Sequence, residues 1–343
     1  MTKRTSPGQY NGPVRVSDLG EFGLIQRLSA AVGAPAPEAL IVGIGDDAAA
    51  WRVGDAVLLA TTDTLVAGVH FLPSWVPWHD LGWKALAINV SDIAAMGGEP
   101  LFALVTLALP PETAVAAIDE LYAGLRECAL EYGVTVAGGD VVRAPQVALT
   151  VALLGRAEVG PQGEPLLLRR DEARVGHVIA VTGTLGDSAA GLRKLREGAP
   201  PDDPLARAHL RPRPPMQTAR QAARLGVPCG IDISDGLLQD LGHICEMCDL
   251  AADLRAAVVP LSPGLRSAYP NEALALACGG GEDYQMLFVA PPETMRLLQT
   301  SVEDRLTVIG EMTDAPGRRP RLLDEVGKEL RLETLGWDHL RER

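Results

Sequence analysis

The sequence predicts an α/β protein of the α+β type in two domains: an N-terminal mixed sheet with helices on one face, followed by a C-terminal α/β domain. Three observations lead there. The 343 residues are enough for two cores of ordinary size. Short apolar runs alternate with helix-period runs along the chain, the pattern of helices laid on sheets. A polar stretch holding Gly160, Pro161, Gly163 and Pro165 reads as a crossing between domains. The expected division is a flexible tail over 1–20, one domain over 21–155 and a second over 156–343.

The elements follow in order. Ala56 to Thr62 is an apolar strand ending at Asp63. A helix runs from about Asp80 to Met96, stopped by Gly97, Gly98 and Pro100. Leu101 to Leu109 reads as a buried strand, and Pro110-Pro111 starts a helix whose apolar positions Ile118, Leu121, Leu125 and Ala129 keep helical spacing until Gly133. Val134 to Ala137 and Val147 to Leu154 complete the first sheet. Beyond the crossing, His177 to Thr182 is a strand leading to a helix from Asp187. The proline-rich stretch Gly198 to Pro215 is an irregular connection or a broken helix pair. Ile231 to Ile233 is a strand that turns through Ser234-Asp235-Gly236 into a helix, and Tyr284 to Val289 and Leu306 to Ile309 are later strands.

Composition excludes several functions. A formal charge of −13, with 44 acidic against 31 basic residues, is the wrong sign for a broad nucleic-acid footprint. The first twenty residues carry Lys3, Arg4 and Arg15 but no apolar run, so they lack the core of a secretory signal. No run approaches the length that spans a bilayer, and a cytoplasmic location is expected. Five cysteines without an export signal do not make a disulfide framework. Cys245 and Cys248 form a C-x-x-C inside a predicted helix and are read as buried or incidental thiols.

The chemistry is carried by small residues followed by acids: Gly45-Asp46-Asp47, Thr61-Thr62-Asp63, Ser91-Asp92, Gly138-Gly139-Asp140, Gly186-Asp187, Ser234-Asp235-Gly236 and Gly280-Gly281-Glu282-Asp283. Glycine admits close approach of a ligand to the backbone, and a neighbouring carboxylate offers a hard oxygen suited to Mg²⁺ carrying phosphate. Asp63 at the end of an apolar strand, and Asp92 inside an alanine-rich helix with Asn89 one turn earlier, are not solvated surface positions. A carboxylate there needs a cation or strong donors. Taken singly, each aspartate is as well read as a helix cap or turn residue, Asp187 and Asp235 especially. The chain lacks a P-loop, a complete dinucleotide fingerprint, a nucleophile elbow and an H-E-x-x-H motif. His70, Lys84 and Arg170 are each open to a structural reading as well as a functional one.

Taken in order, the blocks Glu21 to Ile25, Gly43 to Asp47, Thr62 to Phe71, Trp83 to Gly97, Gly138 to Asp140, Val181 to Asp187, Ile231 to Gly236 and Gly280 to Tyr284 resemble the thiamine-monophosphate kinase family of the aminoimidazole ribonucleotide synthetase superfamily. The resemblance implies a two-domain fold similar to that of the synthetase, dimerising through the first sheet, with ATP and Mg²⁺ near the interface. It implies a metal shell of Asp47, Thr61, Thr62, Asp63, Asp92, Asp140, Asp232 and Asp235. Gly139, Asp140, Arg170 and Ser234 would face ATP, while His70, Glu282 and Trp337 would face thiamine monophosphate. The implied reaction is direct in-line transfer of the γ-phosphoryl group, with no dedicated acid or base. Related superfamily enzymes that use an N-terminal or C-terminal reactive cysteine fit less well, since the cysteines lie between positions 128 and 278. A non-catalytic nucleotide-binding dimer is the alternative from another class.

Overall fold

The computed structural model describes residues 14–33 and 37–332. In chain order its helices are α1 (Val16–Val32), α2 (Trp78–Ala95), α3 (Val115–Tyr132), α4 (Asp187–Arg196), α5 (Pro204–Leu210), α6 (Met216–Arg224), α7 (Leu237–Cys248), α8 (Pro263–Ala268), α9 (Ala273–Gly279) and α10 (Pro292–Ser301). The strands of the first half are β1 (Leu40–Val42), β2 (Ala49–Val53), β3 (Ala56–Val66), β4 (Glu99–Leu109), β5 (Thr135–Arg143), β6 (Ala148–Val159) and β7 (Pro165–Leu166). Those of the second half are β8 (Val178–Thr182), β9 (Cys229–Asp232), β10 (Ala251–Arg255), β11 (Met286–Ala290), β12 (Leu306–Thr313), β13 (Pro320–Leu323) and β14 (Glu329–Leu330).

Among the described residues the strands form two sheets, ordered β1-β2-β3-β6-β4-β5, with β7 on β6, and β14-β13-β10-β12-β8-β11-β9. The first is antiparallel except for the parallel pair β4–β5, which α3 connects as a crossover. The α/β fold expected from the alternating pattern is therefore present, with mixed sheets. Some expected ends move. β3 does not stop at Asp63, because its pairing with β6 continues to Val66 and leaves Asp63 inside the sheet. β6 runs past Gly155 to Val159 for the same reason, held by β3 and β4 on its flanks. Residues Val16–Gly20 already belong to α1, although a tail was expected there.

α2 is the central element. It packs on β3, β4 and β6, lies beside α3, and on its other side meets β9, α5 and α6 of the second half. A helix covered on every side must be apolar all round, and nearly every residue from Leu81 to Ala95 is buried. Its contact with α3 is close enough that a Cβ on Gly82 would lie 1.9 Å from the Leu121 carbonyl oxygen, and one on Gly124 would lie 1.7 Å from that of His79. Trp83, fully buried, donates from its indole nitrogen to the Pro212 carbonyl at 2.8 Å, with Arg211 stacked 4.3 Å from its ring centre. The polar residues buried on α2, namely Lys84, Asn89 and Ser91, each therefore need a partner inside the protein.

The Gly198 to Pro215 region resolves as α5 followed by an extended stretch leading into α6. Asp203 caps α5 by accepting from the amides of Leu205 and Ala206. The two expected aspartate caps are not made. α7 starts after Gly236, whose amide and that of Asp235 both donate to Asp240, one turn inside the helix. The start of α4 is capped from a distance by Asp283, which accepts from Gly186 and Ser188, while Asp187 accepts from Thr184 and Ser262.

Candidate active site

Strand alternation sorts the Thr61-Thr62-Asp63 motif to two faces. Thr61 and Asp63 turn toward α2, and the Thr61 hydroxyl donates to Asp92 Oδ2 at 2.5 Å. Thr62 turns to the open face, its hydroxyl donating to the Val151 carbonyl at 3.1 Å. Asn89, one turn before Asp92, accepts from the Asp63 amide at 3.1 Å and donates to the Ala85 carbonyl at 3.0 Å. This buried amide fixes the strand against the helix.

Asp232, at the end of β9, reaches α2 from the second half, where Ser91 donates to its Oδ2 at 2.5 Å. Asp47, Asp92 and Asp232 thereby converge, with one carboxylate oxygen from each within 4.8 Å of the others. Burial, followed by the charges of Asp63, Asp232 and Asp47, holds the Asp92 carboxyl well above the usual carboxylate range. Asp232 is raised likewise, by burial and then by Asp47. Three carboxyl groups crowded in this way could hold a divalent cation, whose charge would favour their ionised forms. Arg170 sits against this cluster: its Nε donates to Asp47 Oδ2 at 3.2 Å, its Nη2 pairs with the other Asp47 oxygen, and its amide donates to Asp46 at 3.2 Å. Burial and Asp47 push Asp46 up to about 7.

A cavity of about 560 Å³ opens beside the cluster and is lined by Asp63, His70, Asp92, Ser234, Asp235 and Glu282, with Phe71, Trp75 and Tyr284 among its apolar walls. His70 Nδ1 accepts from the Val66 amide at 3.0 Å, so a neutral ring carries its proton on Nε2. Glu282 occupies the left-handed region at φ 67°, its amide donating to the Ser234 carbonyl at 2.6 Å. Asp235 accepts from Gln239 at 2.9 Å and lies close to Asp240 and His243, a second group of possible ligands. Burial, then Arg170, lowers His243 to about 4.

The cluster and cavity thus gather Asp47, Thr61, Asp63, Asp92, Asp232, Asp235, Arg170, Ser234, His70 and Glu282. Gly139 and Asp140 stand apart on exposed β5, three strands from Asp63 along the row Asp63–Val151–Val105–Gly139. A Cβ on Gly139 would lie 1.8 Å from the Val105 carbonyl oxygen, so the residue type is fixed by backbone approach. Trp337 lies outside the described residues. Sequence reasoning missed His209, Asp240 and His243, whose roles depend on long-range partners, and named Ser91 and Asp46 within their motifs without giving either a role.

The five cysteines are free thiols. Cys128, Cys229, Cys245 and Cys278 are buried, and burial pushes Cys245 and Cys278 up to about 12. Cys248 donates to the Arg170 carbonyl at 3.3 Å.

Residues 45–157 match the family model of the AIR synthase related protein N-terminal domain, and residues 174–322 match that of the C-terminal domain. The thiamine-monophosphate kinase of Aquifex aeolicus is 33% identical over 333 residues, covering 95% of this chain and all of its own length. That of Escherichia coli K12 is 38% identical over 331 residues, covering 93% of this chain and 98% of its own. The solved structure of AaThiL complexed with AMPPCP and TMP superimposes with a TM-score of 0.83 at 33% identity, covering 95% of this chain and 99% of its own. By near full-length kinship and a shared fold, the chain belongs to the thiamine-monophosphate kinase family of AIR synthase related proteins.

Proposed function

We propose that this chain transfers the γ-phosphoryl group of ATP to the phosphate of thiamine monophosphate, giving thiamine diphosphate and ADP. The observation that carries this reading is a cavity, lined from both halves of the chain, that brings Asp92, one corner of the carboxylate cluster, together with Asp63, His70 and Glu282. A relative of the same fold that is complexed with AMPPCP and TMP supports the same pair of reactants.

In this reading Asp47, Asp92 and Asp232 hold Mg²⁺, with Thr61, Asp63 and Asp235 beside them, whereas Thr62 and Asp140, expected in the same shell, lie on the opposite face of the sheet and fall outside this set. Bound metal would offset the repulsion between two polyanions and neutralise charge on the transferring group. Arg170, Ser234 and Gly139 face the nucleotide, where a guanidinium suits phosphate oxygens. Glu282 presents a fixed negative charge to the cationic ring end of thiamine monophosphate, with His70 beside it. An oxygen of the acceptor phosphate attacks the γ-phosphorus in line, the bond to the β-bridging oxygen breaks, and ADP leaves. The acceptor, with a second pKa near ~6, is already largely dianionic at neutral pH, so no side chain has to take a proton.

The proposal extends to a cytoplasmic homodimer. Phe102, Leu104 and Leu154 are exposed apolar residues on the face of the first sheet away from α2, a surface suited to a second copy. By register Thr62 and Asp140 lie on this face too. Among the described residues no helix is long and apolar enough to cross a membrane.

The test is to incubate purified protein with ATP, Mg²⁺ and thiamine monophosphate and to resolve the thiamine species chromatographically. Thiamine diphosphate formed in step with ADP is the expected result. Tight Mg²⁺-dependent ATP binding without diphosphate would overturn the acceptor assignment.

A further inference from the structure

Lys84 is an ammonium buried in the middle of the molecule, on the helix that both halves cover. Its side chain is 5% exposed, and its Nζ lies 2.8 Å from Glu282 Oε1 and 3.4 Å from His209 Nε2. His209, from α5, is 3% exposed and places Nδ1 3.3 Å from Glu282 Oε2 and 3.1 Å from Ser188 Oγ. Lysine can only donate, so Nε2 accepts and the imidazole proton sits on Nδ1, between Glu282 and Ser188. Burial and the Lys84 charge lower His209 to about 4, which keeps the ring neutral and suits this tautomer.

Each oxygen of the Glu282 carboxylate therefore has its own partner, one from each half of the chain. The three side chains are not equally covered. Glu282 keeps 28% of its side chain exposed at the cavity wall, Lys84 is closed off behind it, and His209, 3% exposed, borders the same cavity. Burial alone would raise this carboxyl, yet Lys84 and then His209 draw it down to about 2. Its left-handed backbone and the 2.6 Å hydrogen bond to Ser234 fix the base of the side chain as the pair fixes its tip. An ion pair buried only for stability gains little over apolar packing, because desolvation offsets the attraction. This one ends in a carboxylate directed at a cavity.

We propose that Lys84 and His209 are positioning residues that hold the Glu282 carboxylate in one orientation for the cationic ring end of the acceptor substrate. The inference rests on the functional reading above. In this proposal both residues act through Glu282: Lys84 lies behind the cavity wall, and His209, although it borders the cavity, turns Nδ1 to Glu282 and Ser188.

The test combines kinetics with a double-mutant cycle on the full-length protein. Lys84→Met and His209→Gln should each raise the KM for thiamine monophosphate by roughly tenfold to a hundredfold, the scale of a lost charge-assisted hydrogen bond, and leave the KM for ATP within about twofold. Lys84→Arg should recover part of the loss. In a Glu282→Gln background Lys84→Met should add nothing further, since the group it positions is gone. Equal changes in both KM values, or additive losses in the cycle, would overturn the positioning role. If Lys84→Met does not fold, the same cycle with His209→Gln decides the question. Wild-type protein that binds AMPPCP with Mg²⁺ but not thiamine monophosphate in calorimetry would overturn the functional reading and this inference with it.

Discussion

Arg170 grips Asp47 with two nitrogens, Nε donating to Oδ2 at 3.2 Å and Nη2 pairing with Oδ1. Asp47 is also one corner of the carboxylate cluster, so the guanidinium and a metal ion bound as proposed would draw on the same oxygens. Arg170→Ala should raise the KM for ATP by about tenfold or more and that for thiamine monophosphate much less. It should also tighten Mg²⁺ binding measured by calorimetry without nucleotide, because a competing cation is removed. Weaker Mg²⁺ binding in the variant would count against this arrangement.

Asp63→Asn and Asp92→Asn should each cut kcat by about 10²-fold or more at saturating Mg²⁺, in keeping with loss of preorganised charge at a phosphoryl-transfer site. Asp92→Asn should in addition raise the melting temperature of EDTA-treated protein. Its carboxyl is crowded by Asp63, Asp232 and Asp47, and the amide removes that repulsion. Near-normal turnover in both variants would sink the metal assignment.

Ser91 and Asp232 join α2 to β9 through a 2.5 Å hydrogen bond across the two halves. Ser91→Ala leaves a buried carboxyl oxygen without that donor and should cost about 1–3 kcal/mol in denaturant unfolding. A change below ~0.5 kcal/mol would mean that the link is incidental.

Asp283 gives a pH signature. Burial pushes it up to about 8, against the two backbone amides it accepts from. Its folded pKa lies above the unfolded value of 3.8, so its stability contribution is present below that value and is lost as pH rises through about 8. Asp283→Asn carries no such charge. Its melting temperature relative to wild type should therefore climb between pH 5 and pH 9, followed by circular dichroism in EDTA. A pH-independent difference would refute the raised carboxyl.

The open face of the first sheet carries the dimer proposal. A glutamate at its centre, as Phe102→Glu or Leu104→Glu, should yield monomers in light scattering, since charge is strongly disfavoured in the core of an interface. An unchanged dimer would place the contact elsewhere.

The sequence by itself determined the α/β class, the helices around Trp83 to Met96 and Ile118 to Tyr132, and the acid-bearing motifs that mark the site, because these are written in local periodicity and turn chemistry. It also held the family resemblance, since the blocks recur in order along nearly the whole chain. Strand ends were less legible: β3 and β6 are extended by pairing with neighbours far away in sequence, which no local window contains. Only the tertiary structure decided that Thr62 faces away from Asp63, that Asp140 stands three strands from the cluster, and that Ser91 meets Asp232. It alone brought Lys84 to His209 and Glu282, which lie 125 and 198 positions further along the chain. Buried polar groups find partners wherever the fold delivers them, and burial itself is a property of both halves packed on α2 rather than of any segment read alone.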